Sequence, residues 1–171
     1  MIKSIDNIYD EVILQMQEMV KLYRYLLDVV RKEKEILIES NLEELNNNNK
    51  VKELTLLKLK KQEAQRIELI DEFAQAIDFK QSPVRLLDLA NDLGGERGDK
   101  LRRQHSVLTM LLGRVQDLNK ENEILVHSAL DHVIGAMKTI KNDLNENSMY
   151  KKKGDVENQG EYVGRLVRRQ V

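Results

Sequence analysis

Between Ser4 and Ser40 apolar side chains return every seven residues in three neighbouring columns. One column holds Ile5, Val12, Met19 and Leu26, a second Ile8, Leu22, Val29 and Ile36, and a third Tyr9, Met16, Tyr23, Val30 and Leu37. Three adjacent columns form a stripe wide enough to touch more than one neighbouring helix. Gln15 and Glu33 are its polar interruptions. The pattern predicts a first helix over 4–39, roughly 50 Å long at ~1.5 Å per residue.

Ser40-Asn41 breaks the rhythm, and Asn41 followed by Glu43 and Glu44 reads as a helix start. The second helix is expected over 42–78, with Leu42, Leu45, Leu56, Leu59, Ile67, Ile70, Ala74 and Ile77 facing inward. The run Asn46 to Asn49 disfavours a helix interior, but leucine-rich sequence resumes at once, so continuity is expected. Ser82-Pro83 pairs an N-capping residue with a proline suited to the first helical position. It predicts a short helix over 83–92, closed by Gly94-Gly95. A third long helix is expected over 99–145, with its stripe on Leu108, Leu111, Leu112, Val115, Leu118, Leu125, Val126, Ala129, Val133, Met137, Ile140 and Leu144. Asn119 and Asn122 interrupt that stripe. A buried Asn in a helical seam lowers stability but sets register and partner; an Asn at the seam's edge merely faces water. Periodicity alone leaves both open.

Composition supports long helices over a compact globule. Charged residues are 33% of the chain and aromatics 4%, with one Pro and no Trp, so little aromatic mass is present to fill a spherical core. The predicted fold is all-α: an elongated antiparallel, coiled-coil-like bundle of three long helices and one short one. Residues 1–147 form the helical domain. Residues 148–171, with Lys151 to Lys153 and a stretch rich in Asn, Gln and Gly, hold too little apolar surface to order themselves and are expected to be a flexible basic tail. Formal net charge is −1 with the signs mixed, which gives no field to gather nucleic acid. No stretch approaches the ~20 apolar residues of a membrane span, and Met1 to Glu11 lacks the apolar core of a signal peptide. A cytoplasmic protein without nucleic-acid or membrane-inserted partners is expected.

Candidate chemistry is sparse. With no Cys there is no thiolate or disulfide. His105, His127 and His132 lack a Glu three residues earlier, so the Glu-x-x-His pattern of carboxylate-bridged metal bundles is missing. His127 and Asp131 share a face, but two ligands do not make a metal site; His132 is expected to be a packing residue. Gly94 to Lys100 misses the spacing of a phosphate loop and has no preceding strand. Lys58, Lys60, Lys61 and Arg66 are interleaved with Glu53, Glu63 and Glu68, as on an exposed face laced with ion pairs. No cofactor, metal or catalytic residue is predicted, and the chain is expected not to be an enzyme.

Three segments together resemble the FlgN family of flagellar export chaperones. The first runs from Leu26-Leu27 through Glu33-Lys34-Glu35-Ile36-Leu37 to Asn41-Leu42-Glu43-Glu44-Leu45, with a later Lys50 or Lys52 and then Glu63 and Arg66. The second is Asn119-Lys120-Glu121-Asn122-Glu123-Ile124-Leu125-Val126, followed by Ser128, Leu130 and Val133. The third is Tyr150-Lys151-Lys152-Lys153-Gly154. They cover most of residues 20–154. The Asn46–Asn49 run departs from the family pattern, and the extension after Gly154 does not align.

The resemblance implies a cytosolic chaperone that holds the disordered terminal segment of a hook–filament junction protein. That segment would fold as an amphipathic helix on the chaperone's C-terminal helix, and the complex would be delivered to the export gate of the type III secretion apparatus. The implied cargo-binding residues are Leu108, Leu111, Leu112, Val115, Leu118, Asn119, Asn122, Leu125, Val126, Ala129 and Val133, with Tyr150 docking at the gate. A helix with a wide apolar stripe suits such a helix-in-groove partnership. The alternative is a structural coiled coil, a scaffold or dimerisation module without cargo. The sequence leaves open whether the free protein hides its stripe in a homodimer.

Overall fold

In the computed structural model the described residues are 4–81 and 83–149. They form four helices: α1 (Ile5–Glu39), α2 (Leu42–Ala76), α3 (Leu86–Leu93) and α4 (Gly95–Met149). No strand occurs among the described residues, so the all-α class with three long helices and one short one holds. Contacts divide the chain into two compact units, Met1–Ala129 and Leu130–Val171. The expected tail lies, from residue 150 onward, outside the described residues.

The first unit is an up-down-up bundle. α2 runs antiparallel to α1, since Gln62 meets Gln15 and Asn48 meets Val29. α4 runs parallel to α1, since Arg97 meets Tyr9 and Asn122 meets Val30. α1 is the shared partner, and its three apolar columns face the core apart from Ile5, which is exposed, and the half-buried Leu22, Tyr23 and Leu37. A further column, Ile13, Val20 and Leu27, is buried as well. One core cluster joins Val12, Met16, Phe73, Leu89 and Leu101, and so ties α3 to the long helices. A second joins Val20, Leu27, Val30, Leu59, Leu111 and Val115. Tyr9 pins the start of α4: its hydroxyl donates to the Arg97 carbonyl at 3.1 Å, and its ring lies 5.2 Å from the Arg97 guanidinium. Burial raises the Tyr9 pKa above that of a free phenol, with the Arg97 charge opposing.

Helix ends follow local chemistry. The Ser4 hydroxyl accepts from the Asn7 N–H and caps α1. At its far end Ser40 is left-handed, with φ 57°, while the N–H groups of Ser40 and Asn41 donate to the carbonyls of Leu37 and Ile36. That is a Schellman motif. Asn41 also opens α2, its side chain accepting from the Glu44 N–H at 3.1 Å. α2 ends the same way, with Asp78 left-handed at φ 57° and Phe79 donating to the Ala74 carbonyl.

Several boundaries and faces differ from the expectation. α2 is continuous through Asn46–Asn49, as expected, because Asn48 turns inward and donates to the Val29 carbonyl at 3.2 Å. Of its expected inward residues, Leu59, Ile70 and Ala74 are buried and Leu45 and Ile77 half-buried, whereas Leu42, Leu56 and Ile67 are exposed. The short helix begins at Leu86 with Arg85 as its N-cap, so Ser82-Pro83 does not open it. α4 begins at Gly95 rather than Asp99. Gly98 therefore lies within α4, where it packs directly on the end of α3. A Cβ there would sit 2.2 Å from the Ala90 carbonyl oxygen, and Arg102 donates to that same carbonyl at 3.1 Å.

Two tests follow from these ends. A left-handed non-glycine residue costs about 1–2 kcal/mol, against about 0.5–1 kcal/mol of extra chain entropy for glycine. Ser40→Gly and Asp78→Gly should each stabilise the fold by about 0.5–1 kcal/mol, read as a higher urea midpoint. Gly98→Ala should do the reverse: overpacking against Ala90 costs about 1–3 kcal/mol, more than the ~1 kcal/mol that helix propensity returns. Its urea midpoint should fall.

Candidate protein-binding site

Near the Ser40–Asn41 turn the three long helices of the first unit meet through polar groups. Glu33 on α1 is buried, and its Oε2 accepts from Lys52 Nζ at 2.7 Å and from Asn122 Nδ2 at 2.9 Å. Asn122 Nδ2 also donates to the Val30 carbonyl at 3.0 Å. Lys52 Nζ donates to Asn119 Oδ1 at 2.8 Å, and Lys34 pairs with Glu121 outside. Since both partners of the Asn122 amide are acceptors, its NH₂ must face them. Its buried Oδ1 has no partner. Asn122 therefore sits in the seam, not at its edge, and Asn119 is half-buried beside it. The two polar interruptions of the α1 stripe have the same explanation, because Gln15 bonds across to Gln62 on α2.

This junction consumes part of the stripe read on α4. Leu111, Val115 and Asn122 are buried within the first unit, and Leu108, Leu118, Asn119 and Leu125 are half-buried. Leu112, Val126 and Ala129 remain exposed. In the second unit Val133 is exposed, and it shares one helical face with Leu130, Ile134, Met137, Ile140 and Leu144. Exposure on this face runs from 41% at Ile134 to 66% at Leu144, and no described residue covers it. Leu130 and Ile134 were not read into the stripe, although the spacing of three and four residues carries it through them. Tyr150 lies outside the described residues.

A cleft of about 510 Å³ opens between the helices, floored by Met16, Met19 and Leu108 and rimmed by Tyr23, Arg66 and His105. Arg66 is held by Glu63 through two hydrogen bonds, and that pairing leads the rise of its pKa. Burial raises the Tyr23 pKa, with Glu63 adding to it. His127 is exposed, 3.8 Å from Glu123. His132 is exposed too, rather than a packing residue. No group of three or more His, Asp and Glu residues suited to a metal occurs among the described residues. No helix of the described residues is long and apolar enough to cross a membrane.

A family model described as "FlgN protein" matches residues 1–158. The chain belongs to the FlgN family of flagellar export chaperones. No curated protein and no solved structure matched it. FlgN is a chaperone family and not an enzyme family. Six of the residues that carried the resemblance make specific contacts: Glu33, Lys52, Asn119 and Asn122 form the polar junction, and Glu63 and Arg66 form the ion pair beside the cleft. In this FlgN chain Glu33, Lys52, Asn119 and Asn122 thus link α1, α2 and α4, while Glu63 and Arg66 pair within α2.

The junction can be tested by asymmetry. Glu33→Leu removes the acceptor shared by Lys52 and Asn122 and should destabilise the fold by about 1–3 kcal/mol. Adding Lys52→Met removes the stranded cation and should restore part of that loss. A double variant less stable than Glu33→Leu, by urea titration, would contradict the shared-acceptor reading.

Proposed function

We propose that this FlgN chain holds the terminal segment of a flagellar hook–filament junction protein in the cytosol and delivers it to the type III export apparatus. The observation that supports this reading is the uncovered face of Leu130, Val133, Ile134, Met137, Ile140 and Leu144. An amphipathic helix of the cargo, disordered when free, would lay its apolar side on this face. Each Leu, Ile or Met side chain so buried contributes about 1.5–3 kcal/mol. Ordering the cargo segment offsets several kcal/mol of that gain. The outcome is a hold that can be released at export. Among the residues read from the sequence, Val133 belongs to this face. Leu112, Val126 and Ala129 are exposed members of the first unit, while the buried Leu111, Val115 and Asn122 act by fixing α4. Tyr150 is proposed to dock at the export gate.

The test uses the full chain and purified terminal segments of junction proteins, with affinity measured by calorimetry. Met137→Ser with Ile140→Ser should weaken binding by about 100-fold or more, since ~1.4 kcal/mol is a factor of ten. The urea midpoint of the first unit should not move. Leu118→Ala with Leu125→Ala touches half-buried positions and should lower both affinity and stability. Full affinity in a folded Met137/Ile140 variant would remove the cargo site from this face. A tight homodimer of the free chain that binds no junction segment would favour the structural coiled coil.

A further inference from the structure

α2 is turned in a way that its composition does not suggest. Between residues 48 and 59 the positions buried or half-buried against the other helices are Asn48, Lys52, Thr55 and Leu59. Leu54 and Leu57 instead face outward, 60% and 58% exposed. They are neighbours on one face, with Lys50 one turn before Leu54, Lys61 one turn after Leu57 and Lys58 alongside. All three lysines are exposed. Among the described residues the ion pairs on α2 are Lys52 with Glu33 and Arg66 with Glu63, so Lys50, Lys58 and Lys61 are not held in an ion pair, although Glu53 lies one turn from Lys50. The surface is a small apolar centre framed by three exposed lysines.

Helix propensity alone would explain leucine here, but Ala, Glu or Lys would serve as well without exposing apolar area. A second copy of the chain fits poorly. An antiparallel pairing that sets Leu54 of one copy on Leu57 of the other also sets Lys50 on Lys61 and Glu43 on Glu68. Both pairings join like charges, and only Lys58 against Glu53 is matched. A carboxylate-rich partner satisfies every lysine at once.

We propose that the outward face of α2, centred on Leu54 and Leu57 and framed by Lys50, Lys58 and Lys61, docks an acidic amphipathic helix of another protein. The apolar pair anchors the partner helix and the lysines select its flanking carboxylates. Being in the first unit, this surface does not depend on the cargo face proposed above.

A photo-crosslinking residue at position 57 of the full chain, used in the native cells, would test this, with the captured segment sequenced. An acidic amphipathic segment is the expected result. Capture of a second copy, of a segment without that character, or of nothing would overturn the proposal. In vitro, a synthetic leucine-faced helix flanked by Glu should bind the full chain, and its Lys-flanked counterpart should not. Leu54→Ser with Leu57→Ser should weaken that binding at least about tenfold, and high salt should weaken it too. Met137→Ser with Ile140→Ser should leave it unchanged. Equal binding of the two peptides, or insensitivity to the α2 substitutions, would overturn the assignment. Loss at the Met137/Ile140 pair instead would place the peptide on the cargo face.

Discussion

α1 is buried from two directions, and the rest of the first unit is arranged around that fact. Its apolar columns span too much of the helix surface for one partner to cover, so α2 packs on it antiparallel and α4 packs on it parallel. α2 ends beside the start of α1, where Phe73 meets Tyr9, and α4 begins at that same end, where Arg97 meets Tyr9, so the chain has only to cross the end of the bundle between them. α3 and its lead-in provide that crossing. They lie in the same core as Phe73 and Leu101, and are locked there by the close approach of Gly98 to Ala90.

Apolar packing by itself tolerates sliding of one helix along another, since one leucine is much like the next. The polar junction does not. Glu33, Lys52, Asn119 and Asn122 can satisfy one another only at one axial setting, and a slip would strand a buried carboxylate and a buried amide. Burying these polar groups carries a desolvation cost that apolar side chains would not. Such use of buried polar groups is a register device.

The apolar stripe of α4 is therefore divided between the two units. Leu108, Leu111, Val115, Leu118 and Leu125 help to close the bundle, Leu112, Val126 and Ala129 stay exposed, and in the second unit the stripe is left uncovered. A chaperone of the FlgN family that holds an export cargo needs both, a rigid body and an apolar face with no internal partner. In the proposed mode of binding, a cargo face carried by the second unit is occupied and vacated without unfolding the first.

Helix number, class and caps were legible in the residues, because they depend on neighbours a few positions away. Heptad columns predict α1, Asn41 supplies the cap of α2, and Leu-rich sequence carries α2 through its asparagines. Family membership was legible for a related reason, since its motifs are spacings along helices. The Ser82-Pro83 start was misleading, because packing of Leu86 and Leu89 into the core overrides a favourable local cap. What only the tertiary structure decided is which face α2 turns inward and how far the stripe of α4 is covered. On α2 nearly every face carries leucine, so periodicity could not tell that Asn48, Lys52 and Thr55 face the core while Leu54 and Leu57 face water. On α4 the stripe is continuous in sequence, and only the ending of α1 and the start of α2 at Ser40–Asn41 determine where its cover stops. Burial is a relation between segments distant in the chain, and the local pattern holds no record of it.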